Sequence, residues 1–295
     1  MTAPGARGGM SVHPTLSFDD ELHRRIYEYV ERNGAVSADE LMRSIRVESD
    51  APQSKPARSG TYTESVCPPS ADVEACLETL RERGYLTGPD EEIRIALSAL
   101  ETEFECDDGT VRIRPAREAD RDGLLETMRG VADESTYIVA ENVATQLERD
   151  SALVRANEER SRVCFVASLE RDAESETDEG DGDDPATEAA VDDSEIVGWL
   201  HLDVHELPSL SHTAELTVGV DPGYRRQGIG SSLLEYGLEW AARTGYHKVY
   251  QSLPATNEGA IAFLEDEGWE REGVRTEQYR IDGEFVDEVT LAAWP

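Results

Sequence analysis

The chain has 295 residues, 38% of them hydrophobic and set in periodic blocks, enough to build buried cores in two average-sized domains. Acidic residues outnumber basic ones 63 to 28, and a net charge of −35 argues against a protein whose main task is gripping nucleic-acid phosphates. No apolar run approaches the ~20 residues of a membrane span, and the start lacks the charged-then-apolar layout of a signal peptide.

The expectation is therefore a cytoplasmic protein with no membrane partner. Cys67, Cys76, Cys106 and Cys164 have no CxxC spacing, which fits a reducing compartment better than a disulfide framework or a zinc ribbon. Only Lys55 and Lys248 are lysines. This acidic, lysine-poor composition resembles halophilic archaeal proteins, in which a charged shell maintains solubility.

Residues 1–17 read as a disordered tail, small and polar. Leu22, Ile26, Tyr29 and Val30 then recur at helical spacing up to the stop at Asn33-Gly34. Ser37, with Glu40 three residues on, predicts a capping box for a second helix whose apolar face is Leu41 and Ile45. Residues 48–69 lose all pattern and read as an irregular loop. A third helix starts at Ser70 with Val73, Leu77 and Leu80, and Tyr85-Leu86 and Ile93/Ile95 flank a turn like a short hairpin. Three helices and a hairpin over residues 18–97, in a domain expected to span 18–100, resemble a winged helix-turn-helix domain, although the long loop departs from it. In that family the third helix reads DNA. Here it carries Asp72, Glu74, Glu78 and Glu82 against Arg81 and Arg83, so a protein-interaction or substrate-presenting module is favoured over a nucleic-acid reader.

A second domain is expected over residues 111–295, opening with a strand at Val111–Pro115. Helices are predicted over 117–131 and 141–157, and strands over Val163–Leu169 and Ile196–Val204. Residues 170–195 between those strands carry 13 acidic residues and one arginine, and read as a disordered, solvated loop.

The chemistry concentrates in residues 213–244, which read strand, tight turn, helix. Leu216, Val218 and Val220 alternate with Glu215, Thr217 and Gly219. After the turn at Asp221-Pro222-Gly223, the run Arg225-Arg226-Gln227-Gly228-Ile229-Gly230 enters an amphipathic helix. Glycines there let a ligand approach the backbone. A helix start with its positive dipole end suits a phosphate, and two arginines add charge-assisted hydrogen bonds. A Walker loop would need a lysine, and a dinucleotide fingerprint would need glycine at position 233, which is leucine.

Arg225-x-x-Gly228-x-Gly230 matches the pyrophosphate loop of the GNAT superfamily of acyl-CoA N-acyltransferases. Asn257, Ala260, Phe263 and Gly268-Trp269 resemble that family's second cofactor motif. Tyr279 with Asp282-Gly283-Glu284-Phe285-x-Asp287 resembles the closing hairpin of relatives acting on free amino acids or protein N-termini. The resemblance implies a GNAT fold, a mixed and mostly antiparallel sheet flanked by helices (α+β or α/β), with strands four and five splayed around acetyl-CoA. It also implies that the backbones of Gln227, Gly228, Ile229 and Gly230 cradle the pyrophosphate beside Arg225 and Arg226. Main-chain groups of Val218 and Val220 would then pair with pantetheine, which Asn257 touches further along. No metal enters this chemistry; the partners implied are acetyl-CoA and an amine, with a protein partner or a homodimer also open. An alternative is a regulator that senses acyl-CoA.

The departures bear on mechanism. The family's usual acid position is Leu264, and that of an alternative base is Ser252. Glu215 becomes the candidate base, set against a plain solvated carboxylate, with Tyr279 or Tyr250 as candidate acids. For Asn257, an N-cap role is compatible with a cofactor role. His201 and His205 on a strand lie about 13 Å apart, too far for one ion. His212 either faces the acceptor pocket or is a strand-edge residue, and the stripe Trp199, His201, Asp203 either lines that pocket or faces water.

Overall fold

The computed structural model describes residues 16–48, 65–97, 99, 101–132, 138–157, 161–171, 194–204 and 207–295. The tail expected over 1–17 and the acidic loop expected over 170–195 fall almost wholly outside these residues, and so does His205.

Asp20 caps helix α1 (Glu21–Asn33) by accepting the His23 N–H, and the helix buries Ile26, Tyr27 and Val30. It stops at Gly34, whose φ of 82° lets its N–H reach the Val30 carbonyl. Ser37 caps α2 (Ala38–Ser44) through the Glu40 N–H, while the Glu40 carboxylate accepts the Tyr29 hydroxyl. The stretch read as an irregular loop is bounded by a short antiparallel pair, β1 (Val47–Glu48) with β2 (Ser65–Val66). Helix α3 (Ser70–Glu82) turns Val73, Cys76, Leu77 and Leu80 inward against α1. The hairpin β3 (Leu86–Thr87) with β4 (Arg94–Ile95) closes the unit, and a bridge joins Val36 to Ile93.

Among the described residues, β5 to β13 form one nine-stranded sheet. The first pair is β5 (Thr102–Cys106) with β6 (Gly109–Pro115). Sequence pattern did not signal β5, because Glu103 and Glu105 stand on an exposed edge strand and only Phe104 and Cys106 pack inward. Helices α4 (Arg121–Ala132) and α5 (Ile138–Arg149) follow, then β7 (Arg155–Ala156), β8 (Ser161–Glu170), β9 (Glu195–Val204) and β10 (Thr213–Val220). Helix α6 (Ile229–Thr244), β11 (Lys248–Pro254), α7 (Glu258–Asp266), β12 (Glu270–Ile281) and β13 (Glu284–Ala293) complete the chain. The spatial order is β12-β13-β11-β10-β9-β8-β6-β5, with β7 paired to β8. Every pairing is antiparallel except β10 with β11. Strand β8 is buried on both faces: Cys164 and Val166 pack with α4, α5 and Trp199, and Phe165 packs with α6. No helix of the described residues is long and apolar enough to cross a membrane.

The helix expected over 141–157 ends at Arg149. The fully buried Arg162 side chain binds the Asp150 carboxylate and the Ala152 carbonyl, drawing the chain off the helix and into β7. Val154, read as part of that helix, packs instead against the N-terminal core. That junction is polar as well as apolar. The Tyr27 hydroxyl donates to the Ala156 carbonyl at 2.6 Å, and the buried Glu31 carboxylate accepts from Arg155 Nε (2.7 Å) and Asn157 Nδ2 (2.8 Å).

Candidate active site

The turn after β10 is set by Asp221, whose carboxylate accepts the Gly223 N–H at 2.8 Å. Arg226 then takes a φ of 69° and Gly228 a φ of 85°, so the chain enters α6 through two left-handed residues. A Cβ built on Gly228 would meet no atom within 4 Å, and the residue is exposed. Among the described residues no side chain caps α6, and its first backbone bond runs from the Ser232 N–H to the Gly228 carbonyl. The N–H groups of Ile229, Gly230 and Ser231 precede that ladder and, with the dipole, face outward at the helix start. Gly230 gives α6 its close seat, since a Cβ there would stand 3.3 Å from Phe263 Cζ. The two arginines separate: Arg226 is exposed at the loop, whereas Arg225 Nε donates to the Val220 carbonyl at 3.1 Å. The Gln227 amide donates to Asp108 in the β5–β6 turn at 2.8 Å.

Strands β10 and β11 diverge. They pair in parallel only at Thr213–Lys248, Ala214–Val249 and Glu215–Tyr250; beyond that, β10 pairs with β9 and β11 with β13. The Asp221 N–H donates to Val197 on the β9 side. By alternation, the main-chain groups of Val220 and Val218 point the other way, into the gap.

At the fork, Glu215 lies level with Tyr250 on one side and Asp203 on the other. The Tyr250 phenol is pushed up to about 12, first by burial and then by the charges of Glu215 and Asp203. Tyr279, on β12, donates its hydroxyl to Glu288 at 2.9 Å, and Glu288 also meets Arg275 at 3.0 Å. Burial, the bond to Glu288 and the charges of Glu288 and Glu215 hold the Tyr279 phenol well above its ordinary range. Glu288 was not among the sequence candidates. It is buried, yet it stands in an acid-rich run beside Asp287, where nothing in the pattern separates a site carboxylate from a solvated one.

Leu264 is buried in the core, and the Ser252 hydroxyl lies 3.4 Å from that of Thr290. Asn257 caps α7 by accepting the Ala260 N–H at 3.2 Å, and its buried Nδ2 has no hydrogen-bond partner among the described residues. The water-facing alternative for the Trp199 stripe is corrected. Trp199 and His201 are buried, because α4 and α5 cover that face of β9. His212 is exposed next to His247, at the end of β10 where the strands still pair, so the strand-edge alternative describes it.

Residues 153–269 match the family model described as Acetyltransferase (GNAT) family, and this stretch is a GNAT acetyltransferase domain. The N-alpha-acetyltransferase RimI of Mycobacterium tuberculosis is 40% identical over 67 residues, which are 23% of this chain and 40% of that protein. The L-amino acid N-acetyltransferase AaaT of Escherichia coli is 28% identical over 101 residues, 34% of this chain and 62% of that protein. The chain thus spans less than two thirds of the length of these relatives. A GNAT-family acetyltransferase structure from Streptococcus pneumoniae is 18% identical with a TM-score of 0.46, covering 63% of this chain and 99% of that one.

Proposed function

We propose that the chain transfers an acetyl group from acetyl-CoA to an α-amine, on a free amino acid or a protein N-terminus. The observation that carries this reading is the parting of β10 from β11 beyond Glu215 and Tyr250, beside the uncapped start of α6. In this reading the pyrophosphate sits on the backbone of Gln227, Gly228, Ile229 and Gly230, with Arg226 at the mouth and Arg225 bracing the loop on β10. The pantetheine arm adds a pseudo-strand to the gap-facing groups of Val218 and Val220, and the spare Asn257 Nδ2 donor meets one of its carbonyls.

The amine nitrogen attacks the thioester carbonyl carbon, the C–N bond forms and the C–S bond breaks. Glu215 takes the amine's proton, directly or through a water. Tyr279 keeps its proton at neutral pH, the state an acid must start from. Its hydroxyl is turned toward Glu288, however, and a thiolate with pKa about 8.5 departs with little help. An α-amine, near 7.7–8.0, is about a tenth neutral at pH 7, whereas a lysine amine near 10.4 is almost wholly charged. A site without the family's usual acid–base pair therefore suits α-amines, in keeping with the names of two relatives, an N-alpha-acetyltransferase and an L-amino acid N-acetyltransferase.

We read the N-terminal unit as winged-helix-like and as a docked module. Arg81 is ion-paired to Asp90 and Arg83 to Asp19, which leaves the acidic α3 poorly suited to phosphates. The test is a panel of amino acids, N-terminal peptides and lysine-side-chain peptides assayed with acetyl-CoA for thiol release. α-Amino acceptors should turn over fastest; turnover confined to ε-amines would refute the acceptor assignment.

A further inference from the structure

The N-terminal unit holds a side-chain cluster that acyl transfer does not use. Asp20 at the cap of α1, His23 in its first turn and Cys76 in the middle of α3 meet where the two helices pack. His23 Nδ1 lies 2.8 Å from Asp20 Oδ1 and 3.6 Å from Cys76 Sγ, and the three donor atoms lie within 4.8 Å of one another. His23 and Cys76 are buried, whereas Asp20 is exposed, so the cluster opens to water on one side. Asp20 and His23 are one helical turn apart in sequence, whereas Cys76 joins them through helix packing, 53 positions from His23.

The orientation separates a proton relay from an ion site. In a relay, carboxylate and nucleophile occupy opposite nitrogens of the imidazole. Here both face Nδ1, so oxygen, nitrogen and sulfur converge on one point. That donor set is borderline-soft, which suits Zn²⁺ rather than Mg²⁺ or Ca²⁺. With Zn–N of about 2.0–2.1 Å and Zn–S of about 2.3 Å, a tetrahedral angle places nitrogen and sulfur about 3.5 Å apart. The observed separation is 3.6 Å. The exposed Asp20 oxygen must retreat by roughly 0.5 Å from the ring to complete the set. Asp72 adds negative charge near the thiol, which favours a cation there, whereas Asp19 is already paired with Arg83.

We propose that Asp20, His23 and Cys76 bind one Zn²⁺, with water in the fourth position, stapling the start of α1 to α3. On binding, the Cys76 thiol gives its proton to solvent as the Zn–S bond forms, His23 supplies the Nδ1 lone pair, and no electron is transferred.

The test uses the full chain stripped by a chelator and titrated with Co²⁺ as a visible stand-in. One Co²⁺ per chain should give a thiolate charge-transfer band that Zn²⁺ abolishes and that Cys76→Ser lacks. Zn²⁺ should raise the Tm of the parent protein and leave that of Cys76→Ser unmoved. Absence of the band in the parent overturns the proposal, as does an undiminished band in Cys76→Ser, which would assign the ion to another cysteine. Should Cys76→Ser fail to fold, Asp20→Asn retains a helix-capping side chain and the thiol. Its Co²⁺ affinity should fall at least tenfold, and unchanged affinity overturns the proposal.

Discussion

Glu215 and Tyr250 form the last rung that joins β10 to β11, and the sheet opens immediately beyond them. In the proposed reading Glu215 lies close to the reacting acyl group, and its charge acts on the half-buried phenols of Tyr250 and Tyr279. If it is the base, Glu215→Gln should lower kcat by about 10²-fold with acetyl-CoA binding intact. Activity should partly return as pH rises, because a larger fraction of the amine is then already neutral. Full activity at pH 7 would remove the base assignment and leave the cofactor site standing.

Tyr27 couples a buried phenol to the junction between the two units. Burial, and then the Glu31 charge, push its ionisation above the ordinary value of 10.0. Because the folded value is the higher one, this contribution to stability is complete below about pH 10 and is lost as pH climbs beyond it. Denaturant unfolding from pH 8 to pH 11 should show stability falling at the alkaline end. Tyr27→Phe removes the bond to Ala156 and should cost about 1 kcal/mol at neutral pH. The same variant should flatten the alkaline decline; a decline as steep as the parent's contradicts this account.

The junction's second tie is the Glu31 carboxylate, held by Arg155 and Asn157. Glu31→Ala leaves the partly buried Arg155 guanidinium without that counter-charge. The expected cost is about 2 kcal/mol, below that of a fully buried pair because Arg155 retains some access to water. Thermal unfolding of the full chain measures it. An unchanged Tm would mean that the Glu31 carboxylate adds nothing to the joint between the two units.

What could be read from sequence divides along physical lines. Asn33-Gly34 and Ser37 act locally, so the end of α1 and the start of α2 were legible from stop and cap, whereas the Asp20 cap of α1 was not singled out. The turn from β10 into α6 was legible for the same reason, since glycine and helix start are neighbours in the chain. The end of α5 was not, because Arg162, twelve residues beyond Asp150, sets it from another element. Glu288 and the Cys76–His23 contact likewise depend on tertiary packing, and in an acid-rich chain one more carboxylate carries little signal. Edge strand β5 has too short an apolar stripe to announce itself.

If the start of α6 holds the pyrophosphate of acetyl-CoA, Gly228→Glu should displace it. Gly228 faces open space, so the substitution spares the core, although its φ of 85° adds local backbone strain. The new carboxylate would stand where the phosphates should lie. Calorimetric titration with acetyl-CoA should show at least a tenfold loss of affinity, equivalent to about 1.4 kcal/mol, with the circular dichroism spectrum retained. Unchanged affinity in a folded Gly228→Glu variant would contradict the account.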